Sequence, residues 1–507
     1  MTTHIRRPAW ILYRLVCILA VWLVISHGGW HIAPASAQSG SLTWSRPENL
    51  SNTLTSSDSP AIVADGLGYV HVFWSEEVGG RTIRPQDMPS QGNTIFYTRW
   101  DGVSWTPPID VLFMPNDSVA DFPAVAVDTQ NRLHVVWTGY SNLYYSNAPS
   151  WNAYSASAWS KPVILAGDSA RSAWMISIAA DAAGILHVVY ATRGSEAGVY
   201  YIRSVNGGAD WEPPIKLSSE FDTLEESFAR VKIITDGAGR LHAVWQTNES
   251  AGFGQAVYYA RSQDGGKSWS SPLQMGYRGP GDFDVGWPYI TARGDSELHL
   301  IYNAGPSHVG RFHRISRDGG ETWSNPLHVI TEMEGINGYI VPIVDGAGQM
   351  HLIINMRTVA TQVVGIYYAH WLETDWSPVV PLATESPYGP SAHFAAATVR
   401  LGNEVHVVWT TGRGAEIWHL QGTMPGVTPA PALTKPSLAA ATPTPTTQPA
   451  PGRALAPTRQ PVARLLDTGA PGAASAVTNN SVLYGIGVPF LLVLGALTGM
   501  LLRARRR

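Results

Sequence analysis

Cysteine and charge are what this sequence has least of. Its 507 residues include one cysteine, so it carries neither a disulfide framework nor a zinc or iron–sulfur site built on several thiolates. Charged residues make up 14%, against about 25% in an average soluble domain, which excludes a coiled coil or a highly charged disordered chain. Tryptophan (20), tyrosine (20), glycine (49) and proline (36) are abundant instead. This mixture of aromatic residues and turn formers favours a large all-β protein with short strands.

The first 37 residues have the organisation of a secretory signal peptide. Basic residues precede an apolar stretch from Leu15 to Ile25, and Ala35-Ser36-Ala37 fits a small-residue cleavage site. The alternative is an uncleaved N-terminal anchor, for which the apolar stretch is short. Because Cys17 lies inside this stretch, the predicted mature chain, which starts at Gln38, contains no thiol.

The other end of the chain predicts a stalk, a membrane helix and a cytoplasmic tail. Residues 422–481 are rich in proline, alanine and threonine, a composition that forms extended linkers rather than a core. Residues 482–502 are apolar and uncharged, which is long enough for a transmembrane helix. Residues 503–507 contain four arginines, which the positive-inside rule places in the cytoplasm. We therefore expect a single-pass membrane protein with an extracellular domain.

A second route to the cell surface stays open. Leu465-Leu466-Asp467-Thr468-Gly469 resembles the LPxTG sorting signal of Gram-positive surface proteins, which also runs into an apolar stretch and a basic tail. Here a leucine replaces the proline, and the spacer before the apolar stretch is long. Cell-wall attachment by a sortase is therefore an alternative to membrane anchoring.

Cutting off both ends changes the charge. The exported part keeps 27 lysines and arginines against 38 acidic residues, a net charge of −11 instead of −4 for the whole chain. A balance of this sign argues against nucleic acid, or a polyanionic surface, as the main partner.

A strand of the type His-Val-Val-Trp recurs seven times in the middle of the chain. The intervals between its histidines are 63, 53, 55, 57, 52 and 55 residues. An Asp-x-x-Gly turn precedes most copies, an aromatic strand follows, and a Trp-Ser-x-Pro segment closes the unit. We expect the histidines to be structural, since one binding site does not need the same residue in every repeat. They are His71, His134, His187, His242, His299, His351 and His406.

Each unit provides about four short strands, the content of one β-propeller blade. The seventh unit ends near Gln421 without a Trp-Ser-x-Pro segment, and the predicted mature N-terminus begins with one, Trp44-Ser45-Arg46-Pro47. We therefore predict an all-β propeller over residues 38–421, with seven four-stranded blades, followed by one C-terminal transmembrane helix. In this fold the N-terminal strand completes the last blade and removes an exposed sheet edge. Six or eight blades remain alternatives if one unit is out of phase.

Three units contain the motif Ser-x-Asp/Asn-x-Gly-x-x-Trp, at residues 204–211, 262–269 and 316–323. The motif resembles the Asp-box, or BNR repeat, of the sialidase (neuraminidase) superfamily, and the repeats cover about residues 42–421. Asp or Asn before Gly-Gly suits a tight hairpin turn, and the tryptophan is expected to pack back between strands. Because these turns lie away from the active site in that superfamily, the resemblance implies structural roles. The residues concerned are Asn206, Trp211, Asp264, Trp269, Asp318 and Trp323.

The binding site of a propeller is expected at one end of its central channel, in the loops that lead into the innermost strands. Trp174, Trp287 and Tyr339 stand just before such strands, where their rings would stack on sugar rings or else pack between blades. Charged side chains on the same loops would bind a ligand or simply be solvated. Our candidate ligand-binding residues are Trp174, Trp287, Tyr339, Arg171, Glu226 and Asp284.

Converging loop arginines would clamp a carboxylate, and a pair of loop acids would serve a glycosidase. The loop arginines are Arg81, Arg84, Arg171, Arg193, Arg278, Arg357 and Arg413. The loop acids are Asp58, Asp121, Glu225, Glu226, Asp282 and Asp284.

The resemblance to sialidases does not extend to a catalytic signature. Members of that family hold the carboxylate of sialic acid with three arginines, and use a tyrosine–glutamate pair as nucleophile and an aspartate as acid–base. The Phe/Tyr-Arg-Ile-Pro motif that carries their first arginine is absent here, and no Tyr–Glu pair is identifiable. The catalytic residues are therefore unknown, and the fold alone does not imply the reaction.

The sequence leads to three hypotheses of different classes. The first is a surface-anchored, sialidase-like propeller that binds an extracellular ligand, a glycan, with no assured catalysis. The second is an exo-sialidase or related glycoside hydrolase with a diverged arginine triad, and the third is a protein-binding envelope scaffold. We expect no cofactor and no nucleic-acid partner. We also expect no metal, since no acidic cluster has the spacing of a calcium loop.

Overall fold

The computed structural model describes residues 42–435 except for 54, 79–93, 114–118, 140–141, 171, 222–226, 250–252, 283, 306–309, 390–391 and 412–415. Within these residues the chain forms seven antiparallel sheets, arranged as a seven-bladed propeller. The all-β class and the seven blades predicted from the repeat are confirmed.

The strands are short, as the spacing of the turn residues predicts. In chain order they are β1 (Thr43–Trp44), β2 (Glu48–Asn49), β3 (Ser57–Ala64), β4 (Val70–Glu76), β5 (Thr94–Trp100), β6 (Ile109–Phe113), β7 (Asp121–Val127), β8 (Arg132–Thr138), β9 (Leu143–Pro149), β10 (Val163–Leu165), β11 (Ala173–Ala180), β12 (Leu186–Thr192), β13 (Gly198–Ser204), β14 (Ile215–Lys216), β15 (Ser227–Thr235), β16 (Leu241–Asn248), β17 (Gly254–Ser262), β18 (Leu273–Tyr277), β19 (Gly286–Arg293), β20 (Glu297–Ala304), β21 (Gly310–Ser316), β22 (Leu327–Val329), β23 (Met333–Val344), β24 (Met350–Thr358), β25 (Val364–His370), β26 (Val380–Ala383), β27 (His393–Arg400), β28 (Glu404–Thr410) and β29 (Ile417–Thr423). Short 3₁₀ helices occupy Ser150–Asn152, Ala156–Ala158, Gly167–Ala170, Gly194–Glu196 and Ser219–Phe221.

The strands of each blade run outward from the central channel in chain order. Blade 1 is β3-β4-β5-β6, blade 2 is β7-β8-β9-β10, and blades 3 to 6 continue in the same way up to β26. Blade 7 consists of β27-β28-β29 with the N-terminal β1 and β2. The innermost strands of neighbouring blades touch all the way round, including β27 with β3, so the ring is closed.

The N-terminal strand completes the last blade, as predicted. Thr43 pairs with Thr423, and Trp44 pairs with Gly422, so β1 is antiparallel to β29. Further along, Glu48 of β2 pairs with His419 of the same strand. The first and last strands of the described propeller thus share one sheet, which holds the ring closed.

The seven strand histidines are structural, and all of them are buried. In five blades the histidine Nε2 lies 3.1–3.3 Å from an aspartate of the preceding turn, and Nδ1 lies 2.8 Å from a tyrosine hydroxyl of the next strand. In blades 5 and 7 a second histidine replaces the tyrosine, as in the pair His299 and His313, whose nitrogens are 2.9 Å apart. Burial lowers the pKa of most of these histidines, for example to about 4 in His242.

One aromatic contact is repeated at all seven seams between blades. The tyrosine, or second histidine, of each blade packs against the tryptophan of the closing segment of the next blade, with ring centroids 4.8–6.5 Å apart. The recurring tryptophans of the closing segments therefore join neighbouring blades. The pairs are Tyr97–Trp159, Tyr145–Trp211, Tyr201–Trp269, Tyr259–Trp323, His313–Trp376, Tyr368–Trp44 and His419–Trp105.

The three Ser-x-Asp/Asn-x-Gly-x-x-Trp segments, called box turns below, contribute the tryptophan at three of these seams. In the second of them, Asp264 Oδ1 accepts a hydrogen bond from the Ser268 backbone at 2.9 Å, and Ser262 Oγ accepts one from Gly266 at 2.9 Å. Gly266 has a φ of +84°, and a Cβ there would collide with the Tyr201 hydroxyl of the preceding blade. Asn206 and Asp318 make the equivalent turn bonds. The box turns therefore lie at the rim, away from the channel.

The chain continues in packed form beyond β29. Residues 424–435, called the strap below, cross the end of the propeller where the first and second strands of each blade are joined. The Met424 backbone donates to Asn403 at 2.8 Å, and the Leu433 backbone donates to Gly66 at 2.7 Å, so the strap links blades 7 and 1. The predicted signal peptide (1–37), transmembrane helix (482–502), basic tail (503–507) and the remainder of the stalk lie outside the described residues. Residues 42–435, as far as they are described, contain no helix long and apolar enough to cross a membrane.

Candidate functional site

A β-bulge recurs near the start of every innermost strand, at one end of the channel. The register between the first and second strands shifts there in all seven blades. In five blades the bulge contains a non-glycine residue with a φ of 48–54°. A bulge re-aims side chains, and in each of these five blades it turns one residue toward the channel mouth. The five residues are Ser59, Phe122, Arg230, Trp287 and Phe394.

Two of the acids predicted on these loops stabilise this backbone. Asp58 Oδ1 accepts a hydrogen bond from the Ser59 backbone at 2.7 Å, and Asp121 Oδ1 accepts one from Phe122 at 2.8 Å. Asp58 also lies 3.8 Å from His393 Nε2, and burial raises the pKa of its carboxyl group. These carboxylates thus help to hold the bulges.

The bulges surround a cavity of about 130 Å³ that opens at the channel mouth. Two of the predicted residues, Trp287 and Tyr339, belong to its walls. The lining residues are Ser59, Pro60, Phe122, Pro123, Met175, Ile176, Arg230, Val231, Lys232, Trp287, Pro288, Tyr289, Tyr339, Phe394, Ala395 and Ala396.

Aromatic rings from four blades form a continuous wall around this cavity. Tyr339 packs edge-on against Trp287, with centroids 5.2 Å apart, and lies 5.3 Å from Phe394. Phe394 in turn lies 6.2 Å from Phe122. Since every ring of this wall keeps part of its surface exposed, the wall offers a ligand apolar contact area.

Arg230 places a guanidinium group inside the aromatic wall. Its Cζ lies 3.5 Å from the centroid of the Trp287 ring, and its Nη1 donates a hydrogen bond to the Tyr339 hydroxyl at 3.0 Å. A guanidinium has five N–H donors, and among the described residues Tyr339 is the hydrogen-bond partner seen for this one. The stacking and the hydrogen bond fix the orientation of a cation whose other donors are available to a ligand.

Lys232 lies one layer deeper than Arg230. At this level the innermost strands contribute a ring of seven residues, each paired with the residue two positions after the strand histidine. Lys232 is its one charged member, and its Nζ lies 5.1 Å from the centroid of Tyr289. Burial and the nearby charge of Arg230 lower the pKa of Lys232 to about 8. The ring consists of Ala61, Ala124, Ser177, Lys232, Tyr289, Val341 and Ala396.

Trp174, a candidate ligand-binding residue, is half-buried and packs between two blades, outside the cavity wall. The guanidinium Cζ of Arg193 lies 3.6 Å from the centroid of its ring, and its indole N–H donates to the Phe228 carbonyl at 3.0 Å. Trp174 packs against the core between blades 3 and 4. The neighbouring Met175 takes the place in the cavity wall.

Asp284, also predicted to bind a ligand, lies behind the cavity wall with 3% of its surface exposed. One of its oxygens accepts a hydrogen bond from the Gly254 backbone at 2.6 Å, and the other accepts one from Asn303 Nδ2 at 2.7 Å. Burial raises the pKa of Asp284, while the equally buried Arg311 opposes that rise. Asp284 therefore supports the loop beside the cavity. Arg171 and Glu226 lie outside the described residues, as do Arg81, Arg84, Arg413 and Glu225.

The described loop arginines do not converge on the cavity. Arg278 forms an ion pair with Glu249, and Arg357 Nη2 lies 3.2 Å from Glu334. Arg193 is held by Trp174. The arginine that lines the cavity, together with Lys232, is Arg230, which was not among the predicted loop arginines.

No protein-family model matches this chain, and no curated protein matches it either. Among solved structures, it is similar to a protein of unknown function from Dyadobacter fermentans, with 14% identity over 76% of this chain and 99% of that chain, and a TM-score of 0.48. It is also similar to an ulvan lyase, with 11% identity over 73% and 95% of the two chains and a TM-score of 0.48. The intramolecular trans-sialidase from Ruminococcus gnavus shows 13% identity over 75% and 97%, with a TM-score of 0.42. Identities of this size say nothing about a shared ligand or reaction.

Sequence reasoning missed the two cations and two of the rings at the mouth. Three of them, Phe122, Arg230 and Phe394, occupy the bulge position of their blades. In three blades a proline follows the bulge residue, as the pairs Ser59-Pro60, Phe122-Pro123 and Trp287-Pro288. Aligning the units at this pair would have found them. Lys232 carries its own signal, because a lysine in the innermost strand replaces the small or uncharged residues of the other six blades.

Across the described residues, no three histidine, cysteine, aspartate or glutamate side chains come together in a group able to hold a metal ion.

Proposed function

We propose that this protein is an exported propeller that binds an acidic glycan at its channel mouth, held at the cell surface by its C-terminal segment. The observation that carries the proposal is the Arg230 guanidinium, fixed by Trp287 and Tyr339 at the opening of an aromatic cavity. The three box turns are assigned in the same proposal to the Asp-box repeat of the sialidase superfamily. Function resides in sites rather than folds, so the propeller fold alone does not assign a ligand.

The chemistry of the mouth suits a ring-shaped ligand with a negative charge. Arg230 has donors for a carboxylate or sulfate, which planar guanidinium groups bind in pairs of hydrogen bonds. Lys232 adds a second cation below it, and the rings of Tyr339, Phe394 and Phe122 offer faces and edges to the apolar side of a sugar. Because the cations are concentrated in a domain with a net negative charge, attraction would be local to the mouth.

The course of the strap supports presentation of this mouth to the outside. The strap leaves the propeller beside Gly66 and Leu401, in the turns that follow the innermost strands β3 and β27. The cavity lies at the opposite end of these strands, around Ser59 and Phe394. A tether attached after Lys435 would therefore hold the propeller with its cavity directed away from the membrane or wall.

The arrangement favours binding over hydrolysis. A tyrosine nucleophile needs a base that takes its proton, usually a carboxylate. The Tyr339 hydroxyl accepts a hydrogen bond from Arg230 and has no carboxylate hydrogen-bond partner among the described residues, and burial raises its pKa to about 12. These surroundings keep the hydroxyl protonated at neutral pH.

The test is a glycan array probed with the purified full-length protein, containing neutral glycans and their sialylated, uronate-bearing or sulfated counterparts. We expect binding to acidic members, and a loss of about tenfold or more in Arg230→Gln. Arg317→Ala is the matched control, because Arg317 is an exposed arginine on a box turn at the rim, and it should bind as the wild type does. Binding to none of the glycans, or equal binding by Arg230→Gln, would contradict the proposal. Release of sugar from the bound members would favour the hydrolase instead.

A further inference from the structure

The surroundings of Lys232 are unusual for a lysine that serves only as a counter-charge. The side chain projects from the innermost strand of blade 4 into the cavity, in a ring whose other members are uncharged. The charge that acts on it is a like charge, Arg230, and no described carboxylate offsets it. Holding an ammonium group in such a place costs free energy, so the neutral amine is favoured.

Access distinguishes Lys232 from a lysine that is simply buried. Its side chain is half-buried, and it belongs to the walls of a cavity that opens at the channel mouth. A small molecule that enters past Phe394 and Trp287 therefore reaches the amine. A desolvated lysine beside another cation is the arrangement that turns an amine into a nucleophile.

We infer that Lys232 is a nucleophilic amine that captures a small carbonyl compound, an aldehyde or ketone with a carboxylate beside the carbonyl group, as a reversible imine. The Nζ lone pair attacks the carbonyl carbon, and the C=O π electrons move to oxygen. A proton passes from nitrogen to that oxygen, which gives a carbinolamine. The hydroxyl group then takes a proton from solvent and leaves as water, so a C=N bond replaces the C=O bond. Hydrolysis reverses every step, and no oxidant or reductant is needed.

Arg230 selects the ligand in this scheme. It lies on the same strand, two residues before Lys232, and its guanidinium stands at the mouth over Trp287. A carboxylate held there would place an adjacent carbonyl group further down the cavity, toward the amine. The small size of the cavity, about 130 Å³, suits a short carbonyl acid or the open-chain end of a sugar acid. The inference does not depend on the glycan proposal, since it concerns the reactivity of the amine itself.

The chain offers a clean experiment, because it contains five lysines. The full-length protein is incubated with glyoxylate and cyanoborohydride, which at neutral pH reduces the protonated imine to a stable secondary amine and leaves the free aldehyde intact. The modified lysines are located by peptide mass spectrometry. At pH 7 an amine with a pKa near 8 is neutral about one time in ten, whereas an ordinary lysine is neutral about one time in 2,500. We expect Lys232 to be modified at least about tenfold faster than Lys161 and Lys267, allowing for restricted access.

Two further measurements separate capture from general reactivity. The rate at Lys232 should rise with a midpoint near pH 8, not near the ordinary value of about 10.4. The groups that face the amine are Arg230 and Tyr289, and burial raises the pKa of Tyr289 well above this range. Arg230→Gln removes the like charge that lowers the pKa of Lys232, so it should slow modification by both aldehydes. The slowing should be about tenfold larger for glyoxylate than for acetaldehyde, which has no carboxylate for Arg230 to hold.

Modification of Lys232 no faster than of Lys161 would overturn the inference, as would a midpoint near 10.4. Equal effects of Arg230→Gln on glyoxylate and acetaldehyde would overturn the role of Arg230. The two proposals fail separately. Capture at Lys232 without binding to any acidic glycan sinks the glycan proposal alone, and glycan binding without capture sinks this one alone.

Discussion

His419 Nδ1 lies 2.9 Å from Glu48 Oε1, and this contact joins the last blade to the N-terminal segment that completes it. The imidazole is almost fully buried, with its Nε2 toward His406 and its ring edge-on to Trp105 of blade 1. Burial lowers the pKa of His419 to about 4, although Glu48 favours its protonation. The closure of the ring therefore contains a histidine that the fold keeps neutral.

The first prediction concerns acid. The folded chain protonates His419 near pH 4, whereas the unfolded chain does so near 6.5, so the unfolded state binds more protons between these values. The contribution of neutral His419 to the stability of the fold is therefore complete above about pH 6.5, and it is lost as the pH falls toward 4. His242 and His313 shift in the same direction. We expect the free energy of unfolding in urea to fall steeply over this range.

A pair of variants isolates the role of His419. His419→Gln should destabilise the protein at pH 7.5. Between about pH 6.5 and 4, however, its free energy of unfolding should fall by about 2–3 kcal/mol less than that of the wild type. His328→Gln is the control, because His328 is exposed on the outermost strand of blade 5, and it should keep the wild-type slope. An unchanged slope in His419→Gln would contradict this account.

The second prediction concerns the box turns. Gly266 and Gly239 both adopt positive φ, at +84° and +80°, but a Cβ at Gly266 would overlap the Tyr201 hydroxyl, whereas one at Gly239 meets nothing within 4 Å. Gly239→Ala should cost about 1–2 kcal/mol from backbone strain alone. Gly266→Ala adds a steric clash at the seam and should cost about 2–3 kcal/mol more. If urea denaturation gave the same loss in free energy of unfolding for both variants, the Tyr201 side chain would have moved aside at no cost, which would contradict the prediction.

The fold was predictable because its signals are repeated. The His-Val-Val-Trp strand and the Trp-Ser-x-Pro segment occur in register, and each copy buries the same contacts, so seven weak signals add up. The phase of the last unit even predicted the pairing of Trp44 with Gly422. The His–Tyr–Asp bonds and the seam pairs were not predictable, because they join residues in different strands and blades.

The site was predictable only in part, for a physical reason. Trp287 and Tyr339 reach the cavity. Trp174 occupies a similar place in the sequence but packs between blades 3 and 4, where the register shift of the innermost strand is different from that in blade 5. Periodicity gives the position of a strand and not the local register of its first residues. Arg230 and Lys232 were missed because a charged residue within a strand predicts a solvent-exposed position, unless the strand is known to line a channel.

The third prediction concerns the strap. Met424 is buried against the core of blade 7, whereas Leu433 leaves 57% of its surface exposed. Met424→Ala should therefore lower the free energy of unfolding by about 2–4 kcal/mol, and Leu433→Ala by less than about 1 kcal/mol. Urea denaturation of the two variants measures both. Equal effects would mean that the strap does not hold the last blade through Met424.

The fourth prediction concerns the cost of the Lys232 charge. The folded-state pKa of Lys232 is about 8, against about 10.4 in the unfolded chain, so its positive charge destabilises the fold at low pH. The penalty is full below about pH 8, shrinks as the pH rises, and is gone above about 10.4. Lys232→Met should therefore stabilise the protein by about 1–3 kcal/mol at pH 7, and by progressively less up to pH 10.5. Lys267→Met, at an exposed position on a box turn, should change stability by less than about 0.5 kcal/mol at either pH. A destabilised Lys232→Met at pH 7 would mean that the ammonium group is compensated by a partner, and that the amine is not poised for attack.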